Sequence, residues 1–204
     1  MYTITEETIF EYEIKKSKFI SRLYPVNSVE EANEYLRLIR KKHYDATHNC
    51  YSYIIGENGE EIKQSDDNEP SQTAGVVILD ALKKNQMTNV ICIVTRYFGG
   101  IKLGAGGLIR AYSFMTSEAI KISKLHEIIP YVNLKIKFNY NISNEVFKTM
   151  TTYEIIEKIF TDAILCTYKV PKKDIDNIIS DLVDISRNEI EFEVVWLQLF
   201  LFQL

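Results

Sequence analysis

Apolar Phe10, Tyr12 and Ile14 alternate with Glu11 and Glu13, and that period of two predicts a half-buried strand. Lys18 to Tyr24 is a second extended run, ending at Pro25. The spacing then becomes helical: Ala32, Leu36 and Ile39 share one face behind Ser28 and Glu31, a capping-box pair that starts a helix at Ser28. Arg37, Arg40, Lys41 and Lys42 crowd its last turns, where the helix dipole favours cations. Cys50 to Ile55 reads as a strand, Asn58-Gly59 as a hairpin turn, and Glu61 to Gln64 as the returning strand. Residues 65–71 have no period and predict a loop, followed by a helix over about 73–84. Val90 to Thr95 is a buried strand. After it, Leu108, Tyr112, Met115, Ala119 and Ile122 form one stripe on a helix that runs to about Leu125.

Pro130, in Ile128-Ile-Pro-Tyr131, breaks any preceding helix and places a domain boundary there, giving domains 1–128 and 129–204. The second half alternates at Val132 to Phe138, turns helical at Ser143 to Met150, and continues through extended runs at Glu154 to Phe160 and Ala163 to Val170. Pro171 opens a helix carrying Ile175, Ile178, Ile179 and Leu182, and Glu189 to Val195 is a last strand. That βαββαβ order predicts a ferredoxin-like sandwich within an α+β protein. The tail Trp196 to Leu204 is apolar, uncharged and β-prone, which is hazardous if left free. It predicts either an extension of the last strand or pairing with a second copy of the chain.

With 46% hydrophobic and 25% charged residues the chain has the makeup of a globular protein, not a disordered one. A net charge of −4 excludes a protein that coats nucleic acid non-specifically, so any nucleic-acid site must be a local patch. Residues 1–128 carry sixteen cations against seventeen anions and the remainder eight against eleven, so the first half is the better host. Cys50, Cys92 and Cys166 are odd in number and widely spaced, which fits free thiols in a reducing compartment. The N-terminus lacks the pattern of a signal peptide, and no run approaches the length of a membrane span. The expectation is a cytoplasmic protein with no membrane partner.

Chemistry concentrates in Thr95 to Tyr112, where Gly99, Gly100, Gly104, Gly106 and Gly107 make up five of the eight glycines. A glycine-rich turn from strand to helix lets backbone approach a ligand closely and aims unpaired N–H groups outward. Flanked by Arg96, Lys102 and Arg110, it predicts an anion site, most simply for phosphate. The plainer account is a tight crossover with no ligand. The turn is neither a P-loop nor a dinucleotide fingerprint.

Three stretches together resemble the IMPACT family, in its bacterial YigZ-like branch. They are Thr95 to Tyr112, Asp45-Ala-Thr-His-Asn-Cys-Tyr-Ser-Tyr53, and Ser65-Asp-Asp-Asn-Glu-Pro-Ser-Gln-Thr-Ala-Gly75. Asn68 and Gln72 stand where the family usually has glycine, and Val76-Val77 where proline is frequent. The resemblance implies an N-terminal domain similar in fold to RNase PH and to the second domain of a small-subunit ribosomal protein. It implies a C-terminal ferredoxin-like domain similar to one in elongation factor G. For function it implies regulation of translation, which eukaryotic members exert by competing for the activator of an amino-acid-starvation kinase.

The remaining candidates divide between function and structure. His48 and Cys50 share one face of a strand, and as i, i+2 neighbours they read as a structural histidine and a core cysteine more readily than as a nucleophilic pair. Asp66, Asp67 and Glu69 can divide acid and base roles or hold magnesium, or they can bond to nearby backbone; Glu69 can also pair with Arg96 or Arg110. His43 and His126 carry no pattern. Lys15, Lys16, Lys18 and Arg22, with Tyr24, form a basic edge that extends a phosphate-tracking patch if it lies beside the glycines. No residue is assigned to catalysis, to a metal or to a cofactor. The expectation is a regulatory protein that binds RNA or a ribosome-associated factor through the turn. An enzyme for a phosphate-bearing substrate and an adaptor that binds only a regulatory protein are the alternatives. The apolar C-terminal strand is the surface expected to support an oligomer.

Overall fold

The computed structural model describes residues 1–56, 59–187 and 189–196, and the chain divides into two compact units, Met1–Ile128 and Ile129 onward. The architecture is mixed α+β with antiparallel sheets. Among the described residues, no helix is long and apolar enough to cross a membrane.

The first unit is built on a five-stranded antiparallel sheet of β2 (Thr8–Ile14), β3 (Ser17–Pro25), β4 (His48–Ile55), β5 (Glu61–Ser65) and β6 (Val90–Tyr97), in the order β2-β3-β6-β4-β5. Alternation sends Cys50, Ile54, Cys92 and Val94 to one face, under α2 (Gly75–Lys84) and α3 (Ala105–Ile122). Tyr51, Tyr53, Ile91 and Ile93 point to the other face, under α1 (Val29–Lys42). Because β6 is central and buried on both faces, it reads as a continuous apolar run rather than an alternating one.

Ser28 caps α1, its Oγ accepting from Glu31 N at 3.2 Å. Glu31 returns its carboxylate to Asn27 N at 2.8 Å, one residue upstream of the partner that the capping box predicts. The helix after the glycine turn ends at Ile122, short of the expected Leu125, because Leu125–Glu127 (β7) pairs antiparallel with Tyr2–Ile4 (β1). Strands of three residues leave no periodic trace, so neither was legible. Residue 58 of the expected hairpin turn lies outside the described residues.

The second unit runs β8 (Tyr131–Phe138), α4 (Ser143–Thr149), β9 (Glu154–Phe160), β10 (Ile164–Pro171), α5 (Ile175–Ser186) and β11 (Glu191–Trp196). Its four antiparallel strands lie in the order β11-β8-β10-β9. Val132, Leu134, Ile136 and Phe138 face α4 and α5 with Ile178 and Leu182. The apolar tail beyond Trp196 lies outside the described residues.

Candidate functional site

Gly104 ends the glycine turn at φ 71° and ψ 165°, a region essentially open to glycine alone, and offers α3 no side-chain cap. The first helical bond runs from Leu108 N to Gly104 O at 2.9 Å. Among the described residues, the N–H groups of Ala105, Gly106 and Gly107 therefore meet no acceptor. A Cβ added at Gly100 (φ 85°) or Gly104 would touch nothing within 4 Å, so this rim faces open space. Arg110, one turn up the helix, leans back over it: its Nη1 lies 3.8 Å from where a Gly106 Cβ would stand.

Gly99 is glycine for a different reason. A Cβ there would overlap the Lys16 carbonyl, so the turn is butted against the hairpin that joins β2 to β3. That hairpin closes with only Lys15 and Lys16, at φ 47° and 64°, where asparagine and glycine are usual. Of the expected basic edge, Lys15 and Lys16 thus neighbour the glycine turn, whereas Lys18 pairs with Glu11 at 2.9 Å and Arg22 and Tyr24 are buried, because the sheet covers them. Lys15, Lys16, Lys102 and Arg110 are exposed and make no ion pair among the described residues. Phe98 N and Gly99 N, by contrast, are capped by Thr47 Oγ1 at 2.9 Å and Ser17 Oγ at 3.2 Å.

Arg96 departs from the expectation that placed it among the anion ligands. It is 4% exposed, on the face of β6 under α3, and its Nη1 donates to Glu69 Oε1 at 2.7 Å. Phe19 and Phe98 flank its guanidinium with ring centres at 5.4 and 5.6 Å. A charge buried this deeply needs a counter-charge, and Glu69 supplies it. The same Oε1 accepts from Tyr112 Oη at 2.8 Å, and Oε2 lies 3.6 Å from His48 Nε2.

The other acidic-loop residues are also occupied by the fold. Asp66 Oδ1 accepts from Ala74 N and Gly75 N at 3.0 and 2.8 Å, and Oδ2 from Gln72 N at 2.9 Å, which caps α2 from a distance in sequence. Asp67 Oδ2 accepts from Asn49 N at 2.6 Å, and Oδ1 from Arg40 Nη2 at 2.9 Å. His48 Nδ1 meets Asp67 O at 2.8 Å. Cys50 Sγ lies 3.0 Å from Asp66 O and 3.3 Å from Tyr112 Oη, and burial pushes its thiol pKa well up. A thiol held protonated is a poor nucleophile. His48, Asp66 and Asp67, half-buried, and the buried Glu69 are thus each committed to bonds within the fold.

The opposite face of the sheet holds a network that the sequence did not signal. Arg22, 3% exposed, donates from Nη1 to Thr95 Oγ1 at 3.1 Å and from Nη2 to His43 Nε2 at 2.6 Å. His43 Nδ1 lies 2.8 Å from Tyr97 Oη, which donates to Asp45 Oδ1 at 3.3 Å. Arginine can only donate, so His43 accepts and is held neutral.

Fold and site together define an α+β protein whose central strand feeds an uncapped, glycine-rich helix start ringed by unpaired cations. The chain belongs to the IMPACT family: the family model described as the Impact N-terminal domain matches residues 15–120. It is similar to the IMPACT family member of Haemophilus influenzae, at 31% identity over 191 residues, 92% of this chain and 93% of that one. Identity to IMPACT family member YvyE of Bacillus subtilis is 51% over 119 residues, 58% of this chain and 55% of that protein. Protein IMPACT of Rattus norvegicus is 31% identical over 93 residues, 44% of this chain and 29% of its own length. The crystal structure of a hypothetical protein, 26% identical, has the same fold with a TM-score of 0.62 over 97% of both chains.

Proposed function

We propose that this IMPACT-family chain is a translation-linked regulatory protein that binds RNA or ribonucleoprotein through the glycine turn. The observation that carries the reading is the set of unfilled amides at Ala105, Gly106 and Gly107 beside the unpaired cations Lys15, Lys16, Lys102 and Arg110. Amides and cations together suit the phosphates of a backbone, where a lone lysine patch would not fix their position. Arg96 supports the site from behind rather than touching the ligand.

In this reading residues 1–128 form the RNA-binding domain, with the fold that RNase PH shares with a ribosomal protein. Residues from 129 form a ferredoxin-like domain, a reading supported by the β11-β8-β10-β9 strand order. The link to translation rests on the family and on its eukaryotic members. Measuring anisotropy of a fluorescent RNA with wild type and with the double variant Lys102→Ala/Arg110→Ala tests the site. Saturable binding that the variant loses is the expected result. Equal affinity in a folded variant would rule the turn out.

A separate observation favours a protein partner as well. Every residue of the edge strand β9 is exposed, and Ile155, Ile156, Ile159 and Phe160 are at least 43% so. Open strand edges invite pairing with another chain. A partner that survives nuclease treatment and is lost in Ile156→Lys is the expected signature; retention by that variant would contradict it.

A further inference from the structure

Beside the glycine turn, α3 and β2 enclose a groove of about 370 Å³. Tyr12, Ile14 and Lys15 line one side and Leu103, Arg110 and Phe114 the other, and among the described residues no acidic side chain lines it. Its aromatic wall is braced. Tyr12 lies against Phe114 edge to face at 5.2 Å, Phe10 packs against the same ring at 5.9 Å, and Phe10 and Tyr12 are parallel within 8°. Tyr12 nevertheless stays 52% exposed, a large fraction for a ring whose neighbours already fix it.

Phe10 and Ile14, on either side of it along β2, pack against the core, and Tyr12 is not part of that packing. Gly107 lines the groove and also supplies one of the unfilled amides of α3, so ring and amides share one surface. Unpaired cations stand at the same place, with Lys15 at one wall and Arg110 at the other. A flat apolar platform adjoining an anion cradle matches the alternation of base and phosphate in a nucleic-acid strand.

We infer that this groove takes one unpaired base of a single-stranded RNA, stacked on Tyr12, with the adjoining phosphate held by Arg110, Lys15 and the α3 amides. The inference rests on the RNA-binding reading above and adds strand selectivity to it. In a duplex, each base face is covered by its neighbour, so Tyr12 has nothing to stack on. Ring stacking also tolerates any base, so little sequence preference is expected.

The test uses the whole protein and two RNAs of equal length, a single-stranded oligouridine and a perfect duplex. Wild type is expected to bind the single strand at least about fivefold more tightly, and Tyr12→Leu to lose about five- to a hundredfold on that strand alone. Tyr12→Phe, which keeps the ring, is expected to retain affinity. A 2-aminopurine base in the single strand should be quenched on binding wild type, a readout that needs no variant. Equal affinity for both RNAs, no quenching and a silent Tyr12→Leu would overturn the groove; loss in Lys102→Ala/Arg110→Ala would still uphold the turn. Binding of polyglutamate but of neither RNA would overturn both, in favour of an acidic protein.

Discussion

Arg96 and Glu69 are two charges that burial makes dependent on one another. The bond between them is 2.7 Å long and both side chains are at most 5% exposed. Breaking such a pair by removing one partner costs about 3–5 kcal/mol, because the survivor keeps its desolvation penalty without its attraction. Glu69→Gln should therefore lower stability by about that amount in urea titration, and Glu69→Leu/Arg96→Met by clearly less. His43 gives a pH prediction on the other face. Burial, then Arg22 and Lys42, push its pKa below the ordinary 6.5, against the pull of Asp45 and Glu11. The unfolded chain then takes up the proton first, so stability is full above about pH 6.5 and is lost as pH falls through the folded value. Urea midpoints across that range should drop on acidification, and His43→Gln should flatten this part of the drop. In the sequence, Glu69 had two candidate partners, Arg96 and Arg110, and only the depth of β6 under α3 decides between them. His43 gave no signal because its partners are Arg22 and Tyr97, far apart along the chain.

At the level of elements, local chemistry was readable where the element closes on itself. Ser28 and Glu31 mark the start of α1, and alternation marks β2 and β8. It was unreadable where the closing group comes from elsewhere. The start of α2 has Ala74 at its cap position, without a side-chain bond, and the carboxylate that fills its amides belongs to Asp66. Asp66→Ala should cost about 1–2 kcal/mol and lower the melting temperature while leaving RNA affinity intact. The glycines of the turn likewise divide by cause. Gly99 is required by the Lys16 backbone and Gly104 by its dihedral angles, but Gly106 sits in the first turn of α3 with neither constraint. A helical glycine without such a reason costs roughly 0.5–1 kcal/mol relative to alanine. Gly106→Ala should stabilise the protein by about that amount and weaken RNA binding, the opposite signs that mark a position kept bare for a ligand.

For the whole molecule, a net charge of −4 predicts repulsion from nucleic acid, and the account depends on a local exception to it. That exception was half legible. The glycines and the flanking Lys102 and Arg110 stand in one stretch of sequence, but Lys15 and Lys16 join them only because the hairpin between β2 and β3 packs on Gly99. The groove wall of Tyr12 and Phe114 is a contact between residues a hundred positions apart, which no pattern of spacing could announce. The two units carry different surfaces, a local cationic patch beside free helix amides in the first, an open apolar strand edge in the second. The most direct measurement is the slope of log affinity against log salt for a single-stranded RNA, in wild type and in Lys102→Ala/Arg110→Ala. Each phosphate contact on a single strand contributes about 0.7 to that slope, so the double variant should lose about 1.4 from it, with the affinity gap closing at high salt. Superimposable salt curves for the two folded proteins would contradict the account.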